Sequence, residues 1–282
     1  EIVFHLAAQP LVRRSYQDPV ETFSTNVMGT VNLLDAVRHT PSVKAVVVAT
    51  SDKCYENKEQ LGGYREDDPM GGHDPYSASK GCAELVTTAY RRSYFSSTSH
   101  PVAMASVRAG NVIGGGDWGE DRLVPDAVRA LQQDQPLVVR NPEAVRPWQH
   151  VLEPLAGYLM LAERLYREKD PWAGAWNFGP RDQDAVPVAT LADMVFRLWG
   201  KGSWRASKDQ DQPHETHHLK LDCSKAWHIL GWRPLLNLEE AAGLTVPWYR
   251  QAVSAEPRPD MYKTTAGQIA DYESRLKTLS HG

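Results

Sequence analysis

Lys44-Ala45-Val46-Val47-Val48-Ala49-Thr50 decides the fold. Five of its residues, Ala45 to Ala49, form an unbroken apolar run too short for a helix and without polar alternation. Such a run reads as a strand buried on both faces. Working upstream, Ile2-Val3-Phe4-His5-Leu6-Ala7-Ala8 has the same character and is predicted to be a second doubly buried strand. A helix should link the two. Asp18 can cap it, Pro19 fits its first turn and Glu21 completes a capping box. Val20, Phe23, Val27, Val31, Leu34 and Val37 then recur at steps of three and four as one apolar face. Downstream, residues 51–73 are polar and rich in glycine, a loop. Asp74-Pro75 repeats the capping signal and opens a helix whose apolar positions are Ala78, Cys82, Leu85, Val86 and Ala89. Residues 102–107 are a third strand. Buried strands alternating with helices make parallel βαβ units, and hence an α/β, doubly wound parallel sheet. Ligands of open α/β sheets sit at the carboxyl ends of strands. That rule brings residues 6–9, 50–53 and 108–111 toward one crevice.

After residue 111 the pattern loosens. Gly114-Gly115-Gly116-Asp117-Trp118-Gly119 reads as a loop, and 124–131 and 152–167 as helices. Residues 137–139 form a short strand, and Trp176-Asn177-Phe178 returns to the sheet. Residues 191–199 make an amphipathic helix stopped by Gly200; 201–216 are polar, and 223–230, 238–252 and 264–279 are helical. The expected division is 1–110 with 147–180 as a dinucleotide-binding domain, and 111–146 with 181–282 as a smaller mixed substrate-binding domain.

Composition narrows the function classes. The 282 residues carry 31 Lys+Arg against 35 Asp+Glu, a formal charge of −4 without a basic stripe, which argues against nucleic acid. No run nears the roughly 18 apolar residues of a membrane span. Glu1-Ile2-Val3-Phe4-His5 lacks the basic start and long apolar stretch of a signal peptide. Three cysteines, Cys54, Cys82 and Cys223, are odd in number and have no CxxC spacing, which fits a reducing cytoplasm. Residue 1 falls inside a predicted strand without an initiator methionine, so further residues are expected upstream.

Tyr76 and Lys80 stand four apart and share a helix face. A phenol with a pKa of about 10 is a poor base near neutrality, but a neighbouring ammonium favours the phenolate. Such a pair can take the proton of an alcohol while hydride leaves for a nicotinamide. Chance spacing of 11 tyrosines and 11 lysines gives about 0.4 such pairs, so context has to carry the reading. Ser51-Asp52-Lys53 supplies it: a hydroxyl, a carboxylic acid and an amine at a strand end suit proton handling, although Ser-Asp is also a common turn. Arg108-Ala109-Gly110-Asn111 closes the third strand and could contact cofactor and substrate. Arg122, Arg140 and Arg146 could grip pyrophosphate oxygens or be ordinary surface ion-pair residues. His214, His217 and His218 lack a second ligand group at metal-site spacing, so no metal is expected. Trp118 and Trp148 read as packing residues.

Together these segments resemble the extended short-chain dehydrogenase/reductase family of nucleotide-sugar enzymes. The likeness rests on Phe4-His5-Leu6-Ala7-Ala8-Gln9-Pro10, Thr25-Asn26-Val27-Met28-Gly29-Thr30, Thr50-Ser51-Asp52-Lys53-Cys54-Tyr55, Tyr76-Ser77-Ala78-Ser79-Lys80 and Arg108-Ala109-Gly110-Asn111-Val112. Asp52 after Ser51 is similar to the sugar 4,6-dehydratases; 4-epimerases usually lack an acid there. Lys53, Gly114-Gly115-Gly116-Asp117-Trp118 and Arg146-Pro147-Trp148-Gln149-His150 resemble the branch acting on CDP-glucose. The resemblance implies a Rossmann-like sheet whose glycine-rich phosphate loop lies upstream of residue 1; a chain without it is expected to bind dinucleotide poorly.

The resemblance also implies the chemistry. NAD is expected against Leu6, Ala7, Ala8, Thr25, Tyr76, Lys80 and Val112. Tyr76 would remove the 4-hydroxyl proton, helped by Lys80; Ser51 would bind the 4-oxygen, and Asp52 would protonate the departing 6-hydroxyl. Lys53 stands where relatives carry the glutamate that takes the C5 proton. It would act there as a base or as a charge beside the enolate. Asn111, Arg122, Arg140, Arg146 and His214 would hold the nucleotide-sugar substrate. A homodimer or homotetramer, paired through the helices near 20–38 and 75–95, is implied as well. The rival readings are a 4-epimerase and a non-catalytic sugar-nucleotide binding protein.

Overall fold

A computed structural model describes residues 1–60, 62–96, 101–207, 219–257 and 259–280. In chain order the elements are β1 (Ile2–His5), α1 (Val12–Gln17), α2 (Pro19–Phe23), α3 (Gly29–Arg38), β2 (Ala45–Ala49), α4 (Pro75–Tyr90), β3 (Ala103–Arg108), β4 (Val112–Ile113), α5 (Leu123–Gln132), β5 (Leu137–Val139), β6 (Val145–Pro147), β7 (Gln149–His150), α6 (Leu152–Glu168), β8 (Gly174–Asn177), β9 (Ala185–Pro187), α7 (Val188–Trp199), β10 (Trp204–Ala206), α8 (Leu238–Ala252) and α9 (Tyr262–Ser280). The chain forms two compact units. Unit 1 holds Glu1–Gly110, Pro154–Gly179 and Leu219–Arg233; unit 2 holds Asn111–Glu153, Pro180–His218 and Pro234–Gly282.

Unit 1 is built on a parallel sheet of order β1-β2-β3-β8. Alternate side chains of β2 enter different cores. Val46 and Val48 pack with Leu34 and Val37 of α3 and with Met104; Ala45 and Val47 join Leu161 and Leu165 of α6 and Trp176. Helices therefore cover both faces, which is why this strand needs no polar residue. Each fully buried valine contributes about 1.5–3 kcal/mol.

Several sequence expectations need correction here. β1 is an edge strand of this sheet and not doubly buried: Ile2 and Phe4 are exposed, and the strand ends at His5. The first connecting helix does run from Asp18 through Arg38, as α2, a π-turn at Ser24–Met28 and α3, with the short α1 ahead of it. Asp18 does cap α2, its Oδ1 accepting from the Glu21 N–H at 2.8 Å, but the Glu21 carboxylate pairs with Arg14 instead of closing a capping box. The buried face is Thr22, Asn26, Thr30, Leu34 and Val37, whereas Val20 is 77% exposed. The reason is hydrogen bonding. The loop after β1 must satisfy its polar groups. Gln9 donates from its backbone to Asn26 Oδ1 (2.8 Å) and from its side chain to Thr22 Oγ1 (2.8 Å). α4 is inverted in the same way: Tyr76, Ser77, Ser79, Lys80, Gly81, Ala83, Glu84 and Thr87 face inward, and Leu85 is 61% exposed.

Leu219–Arg233 also lies in unit 1, not with the substrate-binding region expected from sequence. Leu221 bridges Tyr64, and Trp232 packs edge-on against Phe178 at 5.0 Å.

Unit 2 packs α5, α7 and α8 around Val128, Leu131, Leu191, Val195, Val246 and Tyr249. The glycine run is a turn, and Trp248 lies so close to Gly115 that a Cβ there would meet its ring at 2.2 Å. Trp118 stacks edge-on to Tyr249, and Trp148 is buried, so both pack. Gly200, at φ 90°, ends α7. Asn237 and Glu240 form a full capping box on α8. No helix among the described residues is long and apolar enough to cross a membrane.

Candidate active site

The candidate chemical groups Ser51, Asp52, Lys53, Tyr76 and Lys80 all belong to unit 1. The chain leaves β2 and enters a single 3₁₀ turn, Asp52–Cys54, capped by Ser51, whose Oγ accepts from the Lys53 N–H at 3.2 Å. The same hydroxyl donates to Asp52 Oδ1 at 3.0 Å. The turn is tied to the end of β3: the Thr50 N–H donates to Val107 O at 2.9 Å, and the Asp52 N–H to Ala109 O at 3.3 Å. Ser51 and Asp52 are buried and Lys53 half-buried.

α4 begins with Asp74 accepting from the Ser77 N–H at 2.9 Å and with Pro75 in its first turn, as the sequence indicates. The Tyr76 N–H donates to Ser15 Oγ at 3.1 Å. Lys80, one turn further along the same face, reaches the last residue of β2, its Nζ lying 3.4 Å from Ala49 O. The helix thus carries Lys80 to the strand end from which Ser51 and Asp52 depart. Tyr76 and Lys80 are both buried. Burial lowers the Lys80 pKa to about 8, against the opposing pull of Cys54 and Glu84. His5 is held below its ordinary value by burial and by the charge of Lys80.

Beneath these groups lies a network that the sequence reading missed. Glu84, one turn beyond Lys80, receives both arms of Arg108: Nε to Oε1 at 2.9 Å and Nη2 to Oε2 at 2.8 Å. Thr50 Oγ1 and Ser106 Oγ also donate to it, at 2.5 and 2.6 Å. Arg108 continues to the Tyr55 hydroxyl at 2.5 Å, which donates to Asn177 Oδ1 at 2.7 Å. Burial pushes the Glu84 carboxyl up, but the hydrogen bonds and charge of Arg108 outweigh it and hold it below the usual range. Arg108 opens the segment that by sequence could contact cofactor and substrate. Instead it is buried, and its guanidinium is engaged by Glu84, Tyr55 and the Glu66 carbonyl. The available signal was spacing: Tyr76, Lys80 and Glu84 follow one another at four-residue steps.

The cofactor candidates lie apart in the chain. Leu6 and Ala7 are exposed and Ala8 half-buried just after β1; Thr25 is exposed on the π-turn; Val112 is half-buried in unit 2. The substrate candidates Asn111, Arg122, Arg140 and Arg146 also belong to unit 2. Asn111 adopts φ 50°, and its carbonyl accepts from the Gln149 N–H at 3.2 Å. Arg122 pairs with Asp117 at 2.9 Å, and Arg140 pairs with Asp121. Arg146 is buried, with Nη1 donating to Val145 O at 3.0 Å. His214, with His217 and His218, lies outside the described residues. Among the described residues no group of three or more His, Cys, Asp and Glu could hold a metal.

Known proteins with these features are consistent in kind. The chain is 54% identical over 277 residues to a CDP-glucose 4,6-dehydratase of Salmonella typhimurium (strain LT2), covering 97% of this chain and 76% of that protein. It is 30% identical over 251 residues to a dTDP-glucose 4,6-dehydratase of Streptomyces antibioticus, covering 88% and 70%. Among solved structures, a UDP-glucose 4-epimerase of Thermus thermophilus in complex with NAD superposes with a TM-score of 0.76 at 26% identity, over 89% of this chain and 78% of that one. The GDP-mannose 4,6 dehydratase family profile matches residues 1–243. With a Tyr-x-x-x-Lys helix face, a Ser-Asp pair at a strand end and a profile match along most of its length, the chain belongs to the GDP-mannose 4,6 dehydratase family.

Proposed function

We propose that this protein is an NAD-dependent lyase that dehydrates CDP-glucose to the 4-keto-6-deoxy sugar nucleotide. One observation carries the reading: Lys80, on the face of α4 that also bears Tyr76, reaches the end of β2, where Ser51 and Asp52 follow. The 54% identity to a CDP-glucose 4,6-dehydratase supports the substrate.

The donor set suits a nicotinamide ribose. Lys80 is a buried ammonium whose bond to Ala49 O is long at 3.4 Å, which leaves it donors for a ligand hydroxyl. Leu6, Ala7, Ala8, Thr25 and Val112 complete the proposed cofactor contacts. NAD held there by Lys80 and its neighbours would supply the hydride chemistry, accepting from C4 of the sugar and returning to C6. Tyr76 removes the 4-hydroxyl proton, and the charge of Lys80 favours the phenolate. Ser51 donates to the 4-oxygen. The resulting ketone acidifies the C5 proton. Lys53 acts at C5, as the base that takes the C5 proton or as the cation that stabilises the enolate while water takes it, and a solvent-exchanged proton returns to C5 when C6 is reduced. Asp52 gives its proton to the 6-oxygen as the C6–O bond breaks, and water leaves. Asn111, Arg122, Arg140, Arg146 and His214 take the substrate's phosphates and sugar. The exposed apolar residues Val20, Phe23 and Leu85, on the outward faces of the α2–α3 segment and α4, suit pairing of identical chains into a dimer or tetramer. The free thiols Cys54, Cys82 and Cys223 fit a reducing cytoplasm.

The test is to incubate the full-length protein with NAD and a panel of nucleotide-glucoses in deuterated water. A 4-keto-6-deoxy product from CDP-glucose, labelled from solvent at C5, is expected. Interconversion at C4 without solvent label would instead assign a 4-epimerase, and binding without turnover a sugar-nucleotide binding protein.

A further inference from the structure

The loop that closes β3 contains a glycine whose missing side chain has a tenant. A Cβ at Gly110 would lie 1.8 Å from Asp52 Oδ2, 2.2 Å from its Cγ and 2.8 Å from Oδ1. The nearest neighbours all belong to that one carboxylate. Asp52 is also held at this spot by its N–H on Ala109 O and by the Ser51 hydroxyl on Oδ1. Gly110 is not among the glycines at positive φ, so its backbone conformation is open to any residue. What the position requires is the absence of a side chain. An added methyl would meet the movable end of Asp52 and not a backbone wall, so it would shift the carboxylate while leaving the fold in place.

We infer that Gly110 is a positioning residue for the elimination step, seating the Asp52 carboxylate against the end of β3 and so aiming it at the leaving oxygen. This rests on the assignment of Asp52 as the acid. Displacing a reacting group by about 1 Å can slow a step about 10²-fold. The loss should fall on the loss of water, because the three atoms nearest the Gly110 Cβ position all belong to the Asp52 carboxylate.

The experiment uses the full-length protein with CDP-glucose and NAD in deuterated water. Gly110→Ala is expected to lower kcat about 10²-fold with KM changed less than about twofold. Substrate recovered before completion should carry deuterium at C5, since C4 oxidation and C5 exchange continue while elimination stalls. A loss of folded protein alone would not produce that label. In an Asp52→Asn background, Gly110→Ala should add no further loss. Should Gly110→Ala fold poorly, the Asp52→Ala, Gly110→Ala double variant should regain the thermal stability of Asp52→Ala alone. Wild-type rates in Gly110→Ala, additive losses with Asp52→Asn, or no regained stability in the double variant would each overturn the inference. If Asp52→Asn slows elimination while Gly110→Ala does not, the acid assignment stands and only the role of Gly110 falls. If Asp52→Asn leaves elimination unchanged, the acid assignment falls and takes this inference with it.

Discussion

In unit 1, Arg108 meets Glu84 with only 3% and 4% of the two side chains exposed, and every side-chain nitrogen and oxygen of the pair has a hydrogen-bond partner. In unit 2, Arg122 meets Asp117 with 37% and 34% exposed, and Arg140 meets Asp121 at similar exposure. The first arrangement is a fixture. Removing one partner would strand the other without water. The second is weak, because an exposed ion pair contributes only about 0.2–1 kcal/mol.

The largest expected effect tests whether unit 1 carries the chemistry. Tyr76→Phe should slow product formation about 10⁴-fold, roughly 5 kcal/mol of barrier, with the melting temperature little changed. Near-normal turnover would remove Tyr76 from the reaction. Next comes the fixture itself. Arg108→Met should destabilise the protein by about 3–5 kcal/mol in urea titration, and the double change with Glu84→Leu should recover most of that. Equal loss in single and double variants would mean that the pair is not coupled.

Lys80 sharpens the contrast through pH. Its folded pKa, about 8, lies below its ordinary value of 10.5. Between those values the unfolded chain keeps a proton that the folded one has shed, so stability rises with pH across that window. Below it, the buried charge is a standing penalty. Lys80→Met should therefore raise stability at pH 7 by about 2 kcal/mol, flatten the rise between pH 8 and 10.5, and abolish turnover. A less stable Lys80→Met would mean that Lys80 supports the fold. The smallest effect belongs to unit 2: Arg122→Ala should raise KM for CDP-glucose about tenfold, with a smaller change in kcat. A loss confined to kcat would move Arg122 out of substrate binding.

The sheet was legible because β2 is apolar on both faces, and the placement of the candidate groups because Ser51-Asp52 follows that strand and Tyr76 and Lys80 share a helix face. The helix orientations were not. Apolar periodicity assumes that the apolar stripe turns inward, but the loop after β1 and the strand-end groups need hydrogen-bond partners. Thr22, Asn26, Thr30, Lys80 and Glu84 therefore point in, while Val20 and Leu85 point out. The Glu84–Arg108 pair joins residues 24 apart, beyond the reach of any local pattern. Leu219–Arg233 returns to unit 1 through contacts with Tyr64 and Phe178 that composition does not reveal.

The sealed contact between Arg108 and Glu84 has a consequence for behaviour in different buffers. Counter-ions cannot readily reach side chains that are only 3% and 4% exposed, so raising ionic strength should leave this joint nearly untouched. The open pairs of Arg122 and Arg140 lie within reach of dissolved chloride and sodium. A concentrated electrolyte should thus weaken the Arg122 and Arg140 pairs long before it loosens the Arg108–Glu84 contact.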